Sequence, residues 1–185
     1  MSLPYNIVEL LDAHIKNLGY DTTTNGLEET PERVARYHSE YLQAGGDAIE
    51  EAAALLKPFD APAPGVWVST INSFSSTCEH HLAPFFGQAR VVYLPDKHVT
   101  GLSKMYRALD VICRRLQIQE RITVQMAEAV MRLKPVGVLV ELTAQHTCMI
   151  CRGICDATSS TRTRAMRGAF ATDRDLREQA ISLLK

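Results

Sequence analysis

The chain has 185 residues, 46% of them hydrophobic and 22% charged, and a net charge of −1. That length suits one domain, or one domain with a small helical appendage, and the apolar share suffices for a packed core. Near-neutrality excludes recruitment of nucleic acid or anionic membrane by a global basic field; no apolar run reaches transmembrane length and no charged-then-apolar leader follows Met1, so the chain is expected to work in the cytoplasm.

In chain order, Ile7, Leu10, Leu11, His14, Ile15 and Leu18 recur at helical spacing, and Gly19 follows as a stop. His14 on that face is expected to be packed rather than to hold a ligand. Residues 20–29 are polar and turn-like. Thr30-Pro31 predicts an N-cap followed by proline in the first turn of a second helix, with Val34, Tyr37, His38 and Tyr41 as its buried stripe. That helix is expected to end at Gly45-Gly46, after which Asp47 caps a short alanine-rich helix stopping at Lys57-Pro58. The proline-rich joint at residues 60–65 predicts a boundary, with a helical region over 1–58 and a second region over 59–185.

Beyond the joint, strand signals begin. Val66, Val68, Thr70 and Ile71 predict a strand running into the Cys78-Glu79-His80-His81 turn, and the valine-rich stretch 88–94 predicts its antiparallel partner, closed by Pro95. Met105, Leu109, Ile112, Cys113 and Leu116 mark one amphipathic helix, on which Cys113 is expected to be plain core. Ile122, Met126, Ala129, Val130 and Leu133 mark the next, stopped by Pro135. Residues 136–143 predict a strand leading to His146, a last strand is expected within 154–170, and Thr172 is expected to cap a closing helix. The order is that of an α+β domain, antiparallel sheet on one side and helices packed on the other.

Chemistry concentrates in two stretches, Cys78-Glu79-His80-His81 and His146-Thr147-Cys148-Met149-Ile150-Cys151. Five cysteines, three of them within residues 148–155, favour metal or reactive thiols over a disulfide framework. Zinc takes Cys sulfur and His nitrogen, and catalytic sites keep three protein ligands and an open position. Cys78, His81 and Cys148 make such a set, with His80 and His146 beside it as proton carriers. A purely structural zinc would need a fourth ligand, for which His80, His146, Cys151 and Cys155 are candidates. Separately, Ser103, Lys104 and Arg107 stand at a helix start, Arg152 follows the second metal stretch, and Arg33 and Arg36 share a helical face. Five cations in a neutral protein suit a triphosphate. Glu120, beside Gln119, can accept the paired donors on one edge of guanine, which adenine does not offer.

These segments, with Tyr93-Leu94-Pro95, Gly101-Leu102-Ser103-Lys104 and the stretch 26–35, lie in an order and spacing that resemble the GTP cyclohydrolase I family from about residue 26 to Phe170. The resemblance implies the tunnelling fold and hydrolysis of GTP at C8 with formate release, followed by recyclisation to 7,8-dihydroneopterin triphosphate. It also implies zinc on Cys78, His81 and Cys148, with Cys151 outside the ligand set. His80 then handles protons on the purine imidazole and His146 on the ribose side. Glu120 and Gln119 hold guanine, while Ser103, Lys104, Arg107, Arg152, Arg33 and Arg36 hold the phosphates, Arg36 standing where the family often has lysine. Assembly is implied to be a homodecamer of two pentamers with interfacial active sites, without nucleic acid or membrane as partner. The alternatives are a zinc-stabilised binding module that does no chemistry, or a related tunnelling-fold enzyme acting on a pterin or deazaguanine; the downstream pathway stays open. Where related sequences run threonine- and serine-rich, this chain has Arg162, Arg164 and Arg167. Arg162 and Arg164 are expected on one strand face, and the cluster is expected to meet acidic groups of a neighbouring chain or a polyanion.

Overall fold

A computed structural model of the chain describes residues 6–43 and 45–184. The chain divides into two compact units, Met1–Gln43 and Ala44–Lys185. The smaller contains α1 (Ile7–Asn17) and α2 (Thr30–Tyr41), packed on each other. Asn6 caps α1 by accepting the Val8 N–H, and Gly19 follows the helix at φ 91°. No residue of α1 is buried and His14 is exposed, so the packed histidine expected there is absent. Thr30 is the first residue of α2 rather than its cap, and its hydroxyl bonds back to the Gly26 carbonyl.

The larger unit opens with α3 (Ala48–Leu55), capped by the Asp47 carboxylate on the Ile49 and Glu50 N–H groups. Ala48, Ala52 and Leu56 are buried in the same core as the later helices. The compact division therefore falls upstream of the proline-rich joint at 60–65, which is only a bend beside a two-stranded ribbon, β1 (Pro58–Asp60) on β4 (His98–Thr100).

The main sheet is built from β2 (Val68–Cys78), β3 (Pro84–Leu94), β5 (Leu116–Gln117), β6 (Gly137–His146) and β7 (Thr161–Gly168). Its order is β5-β2-β3-β6-β7, with only the short β5–β2 pair parallel. Strands β2 and β3 run longer than the apolar patterns that mark them, because their site-proximal halves are rich in Ser, Thr and Phe rather than valine. Phe74, Ser76 and Cys78 on β2 and Phe85, Ala89, Val91 and Tyr93 on β3 face the core. Covering that face are α4 (Leu102–Cys113) and α5 (Gln119–Met131), whose stripes include Met105, Leu109, Ile112, Cys113, Ile122, Met126 and Val130. Cys113 is core as expected, and burial pushes its thiol pKa far up.

At the far end of the sheet the opposite face is covered too. Val92 and Leu139 meet Phe170 of α7 (Ala169–Thr172) and Ala180 of α8 (Arg174–Ser182), with Trp67 stacked on Phe170 at 5.3 Å. Double coverage explains why β6 is buried continuously from Gly137 to Leu142. The cap of α8 is Asp173, accepting the Asp175 and Leu176 N–H groups, and not Thr172, which lies inside α7.

Arg162 and Arg164 do share a face of β7, paired with Thr143 and Glu141 of β6. Their acidic partner is intramolecular: the buried Glu141 carboxylate accepts Arg164 at 2.5 Å and lies 3.9 Å from Arg162. Arg167 points to the other face and bonds Glu128 of α5 at 2.6 Å.

Candidate metal centre

Strand β2 delivers Cys78 as its last residue, and the chain reverses at once. Cys78 N–H donates to the Ala83 carbonyl and Leu82 N–H to the Cys78 carbonyl, both at 2.9 Å, with Leu82 at φ 52°. A leucine in that left-handed region costs about 1–2 kcal/mol, so the surrounding bonds must hold it there. They do so through Glu79. Its N–H donates to Gln117 O at 3.0 Å, and its carboxylate takes two bonds from Arg121 at 2.6 and 3.1 Å. The Arg121 hydrogen bonds hold the Glu79 carboxyl below its usual range. No spacing rule reveals this pair, since the partners lie 42 residues apart.

The second half of the site comes from the end of β6. His146 is its last residue, and Cys148 rides on α6 (Thr147–Ile150), a single turn. Thr147 Oγ1 donates to Pro84 O at 2.6 Å, tying the start of α6 to the start of β3. The β3–β6 register sets Phe85 opposite His146, and their rings stack at 4.5 Å and 7°.

The two ends converge. Ligand atoms of Cys78, His81 and Cys148 lie within 4.8 Å of one another, and Cys78 Sγ is 3.8 Å from His81 Nδ1. Zn–S and Zn–N bonds of about 2.3 and 2.0–2.1 Å at tetrahedral angles give S···N near about 3.6 Å and S···S near about 3.8 Å. The trio therefore fits a tetrahedral ion with little adjustment. Among the described residues it is the one Cys/His/Asp/Glu group with such geometry. Burial, then the neighbouring Cys78 sulfur, raises the Cys148 thiol pKa; a divalent cation reverses that penalty. His80 Nδ1 lies 3.7 Å from Cys78 Sγ, beside the trio, whereas Cys151 and Cys155 are exposed and outside it.

A cavity of about 200 Å³ opens next to these ligands, lined also by His80, His146, Met149 and the stretch from Gln117 to Glu120. It falls below the roughly 300–1,000 Å³ of sites that enclose a drug-sized ligand, so it accommodates a ring system and not a whole nucleoside triphosphate. Glu120 is exposed in the first turn of α5. Gln119, 1% exposed, has its amide engaged inside the protein, including a 2.9 Å bond between Oε1 and His146 Nε2. Burial lowers the His146 pKa, and Glu120 partly opposes the shift.

The cations expected on phosphate are not all gathered here. Arg152 is exposed one residue past Cys151, near enough to act electrostatically on Cys148. Ser103, Lys104 and Arg107 lie in the first half of α4 and do not line this cavity. The helix starts near Tyr93, whose OH accepts the Thr100 N–H, and ends at Cys113, whose carbonyl accepts Ser76 Oγ two residues before Cys78. Arg33 and Arg36 are exposed on α2 of the smaller unit, with Arg33 3.4 Å from Glu29.

Comparison with known proteins adds to this geometry. A family model described as GTP cyclohydrolase I matches residues 7–185. Proteins named GTP cyclohydrolase 1 from Streptococcus pneumoniae and Streptococcus sanguinis are each 40% identical over 171 residues, covering 92% of this chain and 92% of theirs. A solved structure, an archaeosine synthase QueF-like protein in the apo form, aligns with TM-score 0.46 and 17% identity over 55% of this chain and 93% of that one.

Proposed function

Because this chain belongs to the GTP cyclohydrolase I family, we propose that its Cys-His-Cys trio and the adjoining cavity open the imidazole ring of GTP at C8, release formate and recyclise the product to 7,8-dihydroneopterin triphosphate. The protein is a hydrolase of the α+β tunnelling fold. The convergence of Cys78, His81 and Cys148 beside Glu120 carries the proposal.

Cys78, His81 and Cys148 would hold zinc, which supplies Lewis acidity and brings the pKa of a water close to neutrality. His80, 3.7 Å from Cys78 Sγ, is placed to take and return protons at the purine ring. His146, kept neutral by burial, moves protons on the ribose side. Glu120 accepts the two donors on the guanine edge. Arg152 holds phosphate from the same chain, with Arg33 and Arg36 as further phosphate ligands.

Ser103, Lys104 and Arg107 serve as further phosphate ligands, at the site of a neighbouring copy in a homodecamer of two pentamers with interfacial active sites. The sheet edges support association between copies: among the described residues β7 pairs only with β6, and β5 covers only Thr77 and Cys78 of β2. Unpaired edges of this kind invite strand-to-strand association between copies. Among the described residues no helix is long and apolar enough to cross a membrane. The free cysteines suit a reducing cytoplasm.

The test is metal content together with formate release from GTP. The wild-type protein is expected to carry stoichiometric zinc and release formate, and Cys148→Ser to lose both while staying folded, since Cys148 is only partly buried and packs at the margin of the core. Full zinc and full formate release in Cys148→Ser would sink the ligand assignment; a zinc-loaded wild type that releases no formate would sink the function.

A further inference from the structure

Gln119 is a neighbour of the guanine-reading Glu120, yet its side chain faces away from solvent and into the joint between α5, β6 and β7. Its Nε2 lies 3.2 Å from Leu142 O, 3.0 Å from Thr161 O and 3.1 Å from Thr163 Oγ1. Two of these are backbone carbonyls, which only accept, so the amide nitrogen must lie on that side and the oxygen on the other. A flipped amide would set oxygen against oxygen in a buried site and leave both carbonyls without a donor.

The hydroxyls fix the direction further. Thr123 Oγ1 donates to Gln119 O at 2.8 Å, which uses its only proton. In the 2.6 Å contact between Thr123 and Thr163, Thr163 is therefore the donor, and its oxygen can only accept from Gln119, so the two Nε2 protons are shared among three acceptors. With Nε2 committed to donating, Oε1 is left to accept, 2.9 Å from His146 Nε2. An oxygen that can only accept demands a proton on Nε2. Phe85, stacked flat on the ring, keeps the imidazole in that plane.

We infer that Gln119 is a positioning residue that holds His146 as its Nε2–H tautomer, leaving Nδ1 as the nitrogen that exchanges protons during the reaction. This deepens the reading above and rests on His146 being a proton carrier there. It also takes Gln119 out of direct contact with the base. The amide's four contacts span residues 119–163, so the tautomer depends on the closed α5–β6–β7 joint and not on local sequence.

The test is ¹⁵N NMR of the zinc-loaded, ¹⁵N-histidine-labelled protein at alkaline pH, with the His146 signals assigned by their loss in His146→Gln. The expected result is an N–H-type resonance for Nε2 and a pyridine-type resonance for Nδ1; the reverse pattern, or a mixture, overturns the inference without need of any Gln119 variant. Gln119→Leu is expected to retain zinc, show mixed His146 tautomers and lose about 10–100-fold in kcat, with KM for GTP nearly unchanged. Thr163→Val, which leaves the amide in place, is expected to move both readouts in the same direction by less. A raised KM with kcat and tautomer intact in Gln119→Leu would return Gln119 to the substrate and overturn the inference. Should the wild type release no formate from GTP, the functional reading fails while the NMR result still decides the tautomer.

Discussion

Glu120 and Gln119 adjoin in the chain and face opposite ways, one exposed beside the cavity and the other 1% exposed behind it. Exchanging the Glu120 carboxylate for an amide keeps shape but removes the charge and one of two acceptors. Glu120→Gln is therefore expected to weaken GTP by about 1.5–3 kcal/mol, read as a rise in KM with zinc content unchanged. Unaltered preference for GTP over ATP in that variant would mean that guanine is read elsewhere. Cys78, His81 and Cys148 were legible as a candidate set from residue type and spacing, because Cys and His at a three-residue interval have few other common reasons to recur with a distant Cys; leaving Cys151 outside it came from the family resemblance. Glu79–Arg121 and the Gln119 relay were not legible. Their partners come from β5, β6 and α5, and a lone Glu, Gln or Thr in a sequence carries no mark of which carbonyl it will meet.

At the scale of elements, apolar periodicity located α4, α5 and β6, since each buries a continuous stripe or run. It missed the site-proximal half of β3; along β2, whose run into the Cys78-Glu79-His80-His81 turn was expected, hydroxyls such as Ser76 Oγ, donating to Cys113 O at 2.7 Å, replace apolar contacts. Capping residues misled by one position at Thr30 and Thr172, because a hydroxyl beside a helix start caps only if the backbone there is extended, as it is at Asp173. The crossing of β3 and β6 depends on Gly87, whose ideal Cβ would lie 2.7 Å from Ala144 Cα and closer still to Thr143 O. Both obstacles are backbone and cannot rotate aside. Gly87→Ala is expected to lower stability by about 1–3 kcal/mol, seen as a drop in Tm. The loss should extend to formate release, since the strain falls two residues from the Phe85–His146 stack. An unchanged Tm would show that the sheet absorbs the extra carbon.

At the scale of the whole molecule, the metal trio lies beside a small cavity, while Ser103, Lys104 and Arg107, the cations proposed for phosphate, stand on the first half of α4 outside its lining. Complementation tests whether neighbouring copies share a site. Cys148→Ser and the double variant Lys104→Ala/Arg107→Ala are each expected to be inactive alone. Refolded as a mixture, they should regain part of the formate release, because some interfaces then join an intact trio to intact cations. No recovery from assemblies confirmed as mixed by native mass spectrometry would place both halves in one chain.

The proposed sharing of one site between two copies also has an inheritance. A chain that lends one half to each of two neighbours is answerable for both, so a copy defective in both halves spoils two sites for every subunit it occupies. Activity in a mixed population would fall as the square of the intact fraction, whereas a copy defective in one half spoils a single site and activity falls only in proportion. Two alleles, one damaged in the trio and the other in the α4 cations, would then sustain together what neither sustains alone.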